Sequence, residues 1–328
     1  MKPTLKHFIT LIVLTFTLTS YAQDARSLVK EGITLNNAKQ YAGAIEKYKA
    51  ALSLEPDNAT ANYQIAFTLN TTGKATDALP YLQKVVAADA SPAVIASAYG
   101  LMGSIYDKTA QPQKAVECYL QAIKTDPANY MTHYNLGLTY FRIRQYAEAE
   151  KSALAALAID PKHNESIRLY ALVTFHQDKR AAALMALCRY LSLVPAGPKS
   201  TEAYGNLQSI LKGGALKAEP GVKPPVADAQ TRELNRAITT AVNTVDKQKY
   251  TSPATLLSKQ LSVLFTQLGP IVEKQTANTP FFSGLAAQYY QLAQTDRMMA
   301  FANFISQSGD KSAAAWVKAH SDIMGEEW

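Results

Sequence analysis

Cysteine is nearly absent. Only Cys118 and Cys188 occur in 328 residues, and a chain with no spaced cysteine pair offers neither a thiolate zinc site nor a dithiol redox motif. Charge is scarce too, at 18% Asp, Glu, Lys and Arg. The net charge is +7, which over this length is a weak field that fits an anionic envelope surface and does not call for nucleic acid. Beyond the first 22 residues no apolar run is long enough to cross a bilayer, which takes about 20 residues. Catalytic patterns are missing as well: no histidine–glutamate zinc motif, no nucleophile elbow and no phosphate loop. Gly73-Lys74 lacks the spaced first glycine that would cradle a phosphate. His133, His163, His176 and His320 are scattered over different segments, so no metal site is expected. Glu46, Glu117, Glu148 and Glu150 fall on helix faces expected to be solvated, so no acid–base pair is expected. These absences point away from an enzyme and from any cofactor.

What is present begins at the N-terminus. Residues 1–22 contain no acid, with Lys2 and Lys6 preceding the apolar run Phe8 to Leu18 and Ser20-Tyr21-Ala22 closing it. A positive start, a short apolar core and a small-x-small site are the parts of an export signal, with cleavage expected after Ala22. An uncleaved membrane anchor is the alternative. No cysteine ends the apolar run, which excludes a bacterial lipoprotein anchor. Removing Lys2 and Lys6 leaves 31 basic residues against 26 acidic ones, a charge of +5. The expected compartment is the periplasm or the exterior, without stable membrane insertion after cleavage.

Proline then acts as a ruler. Glu55-Pro56-Asp57-Asn58, Asp126-Pro127-Ala128-Asn129 and Asp160-Pro161-Lys162-His163 each close an amphipathic segment, and Pro195 closes a fourth. The gaps are 71, 34 and 34 residues. The first resolves as 34 plus 37, with Ala90 in a proline slot and a three-residue insertion after it. A 34-residue period of helix–turn–helix units signals a solenoid. Small residues recur in the first helix of each unit at Gly32, Ala66, Gly103, Gly137 and Ala171. Three residues on come Leu35, Leu69, Tyr106, Tyr140 and the weaker Thr174. The second helices carry Ala44, Ala78, Ala115, Ala149 and Ala183, followed four residues later by Tyr48, Leu82, Tyr119, Ala153 and Leu187. That is the i, i+4 spacing of one helical face.

The stretches Tyr41 to Pro56, Gln113 to Pro127 and Tyr146 to Pro161 resemble second halves of tetratricopeptide repeats, and Tyr134 to Tyr140 resembles a first half. Five units fit at about 25–58, 59–92, 96–129, 130–163 and 164–197, roughly half the chain. The tryptophan slot of the family holds Leu28, Asn62, Tyr99, His133 and Ile167 instead. The resemblance implies an all-α, right-handed solenoid whose first helices line a concave face. On that register the outward residues are Ile33, Tyr63, Phe67, Asn70, Tyr134, Leu138, Phe141, Arg142, Arg168, Leu172 and Phe175. We take Tyr63, Phe67, Asn70, Tyr134, Leu138, Phe141, Arg142, Arg168 and Phe175 as the candidate groove. Aromatics would supply contact area there, and arginines would anchor carboxylates of an extended or helical peptide. Two readings stand: an open groove, or one covered by the chain's own C-terminal half. The carboxylate-clamp subtype is excluded, because Val29, Ile33, Gln64, Ser97 and Leu101 occupy its lysine and asparagine positions. Cys118 and Cys188 fall two units apart, which with helices 8–10 Å apart exceeds the ~7 Å limit for a bridge. Buried free thiols are expected, a disulfide being the alternative.

The expected organisation is residues 23–212 as solenoid with a capping helix near Thr201 to Leu211, 213–228 as a Pro- and Gly-rich linker, and 229–328 as a C-terminal helical domain of no nameable family. In that last part helices are expected from Leu234, from Ser252-Pro253 with a break or kink at Gly269-Pro270, and from Thr279-Pro280. A fourth is expected from Thr295 or Asp296, and a fifth from Asp310 through Trp316, His320 and Ile323. The pair spanning 280–308 is the size of a degenerate extra repeat. The expectation for function is a non-enzymatic scaffold of the cell envelope that binds a protein or peptide. The alternative is an assembly protein whose C-terminal helices fill the groove and mediate self-association.

Overall fold

A computed structural model describes residues 24–213, 226–245, 249–250, 252–275 and 278–321. The expected export signal, most of the expected linker and Ile323 lie outside the described residues. Among those residues there are sixteen α-helices and no strand. Ten form five helix–turn–helix pairs: α1 (24–37) with α2 (Tyr41–Leu54), α3 (Ala59–Thr71) with α4 (Ala75–Ala87), and α5 (Pro92–Lys108) with α6 (Pro112–Thr125). Then come α7 (Tyr130–Arg142) with α8 (Tyr146–Ile159) and α9 (Asn164–His176) with α10 (Arg180–Leu193). The 34-residue ruler therefore places every pair. The three-residue insertion is absorbed by α5, which starts at Pro92 and runs 17 residues where its counterpart α3 has 13.

The turn inside each repeat closes in the same way. Lys39, Gly73, Ala110, Arg144 and Asp178 all have positive φ, between 56° and 82°. The next residue's N–H reaches back to a carbonyl five positions earlier, at Leu35, Leu69, Tyr106, Tyr140 and Thr174, over 2.8–2.9 Å. This is the Schellman closure, with the left-handed residue just past the helix. Only the second repeat uses glycine there. A side chain in this conformation costs about 1–2 kcal/mol. Ala110→Gly is therefore expected to raise stability by ~1 kcal/mol, after allowing for glycine's larger entropy loss. A melting curve should show a midpoint about 2–4 °C higher.

Between repeats, Asp126 and Asp160 accept the N–H groups of Ala128 and Lys162 across the proline, at 3.2 and 3.1 Å. Asn58 and Asn129 then cap the following helix through Ala61 N–H and Thr132 N–H. At Asp126-Pro127-Ala128-Asn129 the first residue thus holds the turn and the last starts a helix, whereas Asp160 does only the former and Asn58 only the latter.

Two compact units divide at Thr139 and Tyr140. In the first, a Cβ on Gly32 would sit 2.4 Å from the Tyr48 ring, and one on Gly103 would sit 2.7 Å from the Tyr119 ring. Both tyrosine side chains are buried. Glycine is required there because a tyrosine four residues past the second-helix alanine lies against the first helix. Where the first helix carries Ala66, the second carries the smaller Leu82.

The second unit adds α11 (Pro198–Leu211), α12 (Ala229–Thr244), α13 (Pro253–Lys274), α14 (Pro280–Ala293), α15 (Met298–Ser306) and α16 (Lys311–Ala319). The capping helix begins at Pro198, three residues before the expected start. It is tied to α9 by Lys199–Glu165 at 3.0 Å and Arg168–Glu202 at 2.9 Å. Both pairs are separated by one repeat length, and Gly205 falls in the small-residue register, so α11 acts as the first helix of an unfinished sixth unit. Helix α10 is buried around its whole circumference, Ala181 through Cys188 included. It packs on α9 and α11 and also on α12, α14 and α15.

Three expectations need correction. Helix α13 runs unbroken through Gly269-Pro270. The carbonyl freed by Pro270 belongs to Thr266, which is exposed to water, and Gly269 is needed because Tyr290 lies 2.5 Å from where its Cβ would be. Helix α15 starts at Met298, not at Thr295 or Asp296. Residues 280–308 are not an extra repeat: α14 and α15 each pack mainly on α13 rather than on each other. The small–large pair Ala300 and Phe304 reflects ordinary helix packing.

Candidate functional site

In the first unit the outward stripe starts on α3, where Tyr63, Phe67 and Asn70 share a face at i, i+4 and i+7. The rings of Tyr63 and Phe67 stack with centroids 6.5 Å apart. The Tyr63 hydroxyl bonds Ser97 on α5, and burial raises its pKa above the ordinary phenol value. Phe67 is 40% exposed, an unusual state for so large an apolar side chain. Asn70 is half-buried. On α7 the half-buried Tyr134 and Leu138 share a face with Met131, which is 41% exposed. Met131 was not among the candidate residues. Its spacing of three from Tyr134 would have marked it.

In the second unit Phe141 packs edge-on against His176 at 5.3 Å and tilts against Tyr146 at 5.7 Å. Tyr146 and His176 stack at 4.6 Å. Arg142 is exposed. Arg168 is held by Glu202, so a ligand carboxylate would have to displace that partner. Phe175 is 4% exposed and offers no surface. The candidate residues of this unit therefore divide into an aromatic cluster at Phe141, an exposed Arg142, an engaged Arg168 and a core Phe175. The C-terminal helices meet the repeats chiefly at α10, a second helix, through α12, α14 and α15.

Glu150 overturns an expectation. Glu46 and Glu117 are exposed, but Glu150 on α8 is 9% exposed. Its Oε2 accepts from Gln177 Nε2 at 2.8 Å and pairs with Lys179 Nζ at 2.5 Å. Both partners follow α9, almost 30 positions later, where no local pattern reveals them. Beside this pair, Asn235 of α12 bonds the Asp178 carbonyl at 2.7 Å and accepts the Arg180 N–H at 3.1 Å. Glu150, Lys179 and Asn235 border a cavity of about 120 Å³, lined further by Tyr170, Asp228, Thr279 and Phe282. Phe281 meets Tyr170 edge-on at 5.3 Å.

The other reactive side chains are engaged elsewhere: the cysteines in the core, and His133 and His163 at repeat turns. Cys118 and Cys188 are free and buried. Burial, aided by Glu117, lifts the Cys118 thiol to about 11, and burial alone lifts Cys188 further. His133 Nε2 lies 3.0 Å from the Pro127 carbonyl, and His163 Nδ1 lies 2.7 Å from Ser166 Oγ. Among the described residues no cluster of His, Cys, Asp or Glu could hold a metal ion, and no helix is long and apolar enough to cross a membrane.

Residues 34–166 match the family model described as the N-terminal TPR repeats region of Psidin. These residues are tetratricopeptide repeats. RNA polymerase II-associated protein 3 of Xenopus tropicalis is 25% identical over 189 residues, 56% of this chain and 24% of that protein. Human protein O-mannosyl-transferase TMTC3 is 31% identical over 111 residues, 34% of this chain and 12% of that protein. The chain thus spans a quarter or less of the length of these curated relatives. Among solved structures, YrrB, titled a TPR protein with an unusual peptide-binding site, is 18% identical over 58% of this chain and 97% of its own, with a TM-score of 0.49. Pseudomonas aeruginosa pilF is 13% identical over 82% of this chain and 99% of its own, also with a TM-score of 0.49.

Proposed function

We propose that the chain is a scaffold that works in the cell envelope, without catalysis, and holds a peptide segment of a partner protein on the first-helix face of its repeats. Placement in the envelope rests on residues 1–22, whose basic start, apolar core and Ser20-Tyr21-Ala22 make an export signal. The groove rests above all on Phe67. A phenylalanine left 40% exposed beside a stacked tyrosine is a ready anchor for an apolar side chain, and aromatic anchors dominate interface energies. Tyr134, Leu138 and Met131 extend the same chemistry on α7.

The test is a double charge introduction, Phe67→Glu and Tyr134→Glu, in the mature chain. A photo-crosslinker beside Phe67 would identify the partner in envelope extract, and titration would then compare the two proteins. Affinity is expected to fall at least thirtyfold, since losing one anchor costs about 2 kcal/mol or more. Unchanged affinity in a variant with intact helical signal ends the groove reading.

The second reading, an assembly protein that associates with itself, draws on the C-terminal helices. Their packing around α10 supports an internal structural role for them, on a second-helix face rather than on the aromatic stripe. Light scattering that returned a dimer would favour it.

A further inference from the structure

The cavity beside Glu150 lies wholly in the second unit and has no part in the aromatic stripe. Three helices begin at its walls: Lys179, Asp228 and Thr279, the N-cap residues of α10, α12 and α14, all line it. A helix start carries about half a positive charge and unbonded N–H donors. In α12 and α14 the cap side chain accepts one donor, Asp228 from Thr231 at 2.7 Å and Thr279 from Phe282 at 3.3 Å. Helix α10 has no side-chain cap. Asn235 takes its Arg180 N–H, and the next two residues, Ala181 and Ala182, line the cavity in a buried first turn.

Against these donors stand two carboxylates. Glu150 makes both of its bonds through Oε2, which leaves the valence of Oε1. Asp228 accepts the Thr231 N–H through Oδ1 and also bonds the Thr231 hydroxyl, and a carboxylate's remaining lone pairs still offer acceptor capacity. Lys179 has three ammonium protons, and its bond to Glu150 takes one. A purely anionic ligand would meet Glu150 and Asp228, and a purely cationic one would meet Lys179 and three helix starts. A molecule carrying both charges a few bonds apart satisfies both sets. The volume of about 120 Å³ is room for about eight to twelve water-sized atoms at roughly 10–15 Å³ each, fewer than a tryptophan carries.

We infer that this cavity binds a small zwitterion of the α-amino-acid class. The carboxylate lies toward Lys179 and the first turn of α10, and the ammonium lies toward Glu150 and Asp228. Compact members such as glycine, alanine and serine fit, and tryptophan does not.

Calorimetry and thermal unfolding of the full chain with glycine, alanine, serine and tryptophan test this, with acetate and methylammonium as single-charge controls. At a hundredfold excess over Kd a small amino acid is expected to raise the midpoint by ~5 °C or more. Each single-charge control should bind at least tenfold more weakly. Lys179→Met and Asp228→Asn should each weaken amino-acid binding at least tenfold. Asparagine is itself a good helix cap, so Asp228→Asn decides the matter even if Lys179→Met fails to fold. The assignment is overturned if no small amino acid binds, if acetate or methylammonium alone binds as tightly, or if Asp228→Asn leaves the affinity unchanged.

Discussion

Gly103→Ala is expected to destabilise the protein by ~2–3 kcal/mol, the upper part of the range for overpacking a tight core. The new methyl would sit 2.7 Å from a ring carbon of Tyr119, far inside van der Waals contact. Tyr119 is only 2% exposed, so its ring has no free volume to swing into, and α5 and α6 must move apart. In a melting experiment the midpoint should fall by roughly 4–10 °C. The informative companion is Tyr119→Leu. By itself it removes aromatic packing and leaves a void, at a cost of about 1–3 kcal/mol. Together the two substitutions recreate the alanine–leucine pair that the second repeat uses at Ala66 and Leu82. The double variant should therefore be more stable than the sum of the single losses implies, with a coupling of ~1–2 kcal/mol in a double-mutant cycle. Simple additivity would show that the two positions do not share one steric contact.

Glu150→Ala is the second large effect, expected to cost ~2–3 kcal/mol. Breaking a buried pair by removing one partner leaves the other charge without compensation, typically at 3–5 kcal/mol. Here the value is discounted because the Lys179 side chain is 35% exposed and recovers part of its hydration. Gln177 loses an acceptor in the same step. Lys179→Met should cost more, ~3–4 kcal/mol, since it leaves the Glu150 carboxylate, whose side chain is only 12% exposed, with the neutral Gln177 as its remaining partner. Urea denaturation of both variants checks the order. A Lys179→Met loss below that of Glu150→Ala would mean that the carboxylate is hydrated rather than embedded.

Both results concern contacts whose visibility in the chain differs. The Gly103–Tyr119 contact is legible, because small and large residues recur at a 34-residue period and each repeat contacts its neighbours through the same slots. The Glu150 network is not, since it joins α8 to a turn almost 30 residues later and to α12 beyond that. The helix-period pattern of α8 puts Ala149 and Ala153 inside but says nothing of what lies over Glu150.

The fate of the candidate stripe divides in the same manner. Tyr63, Phe67, Asn70, Tyr134 and Leu138 sit on helix faces that register alone defines. Arg168 and Phe175 share that register, yet Glu202 from α11 holds the one and packing buries the other. The burial of helix α10 is legible in its sequence: Ala181 through Cys188 contains no charged residue, and a helix apolar on all sides is a buried helix.

The sequence by itself determined the all-helical class, the five repeats, the signature turns between them and the glycines beneath tyrosine rings. These follow from local periodicity and from contacts repeated at one separation. The uniform left-handed closures at Lys39, Ala110, Arg144 and Asp178 are hidden, because none of those residues announces positive φ as Gly73 does. Only the tertiary structure decided that α12, α14 and α15 enclose α10, that α14 and α15 share α13, and that a charged pair lies beside a polar cavity. Those features arise where distant segments of unrelated pattern meet. Which faces they bury depends on packing between helices and not on the period of any one of them.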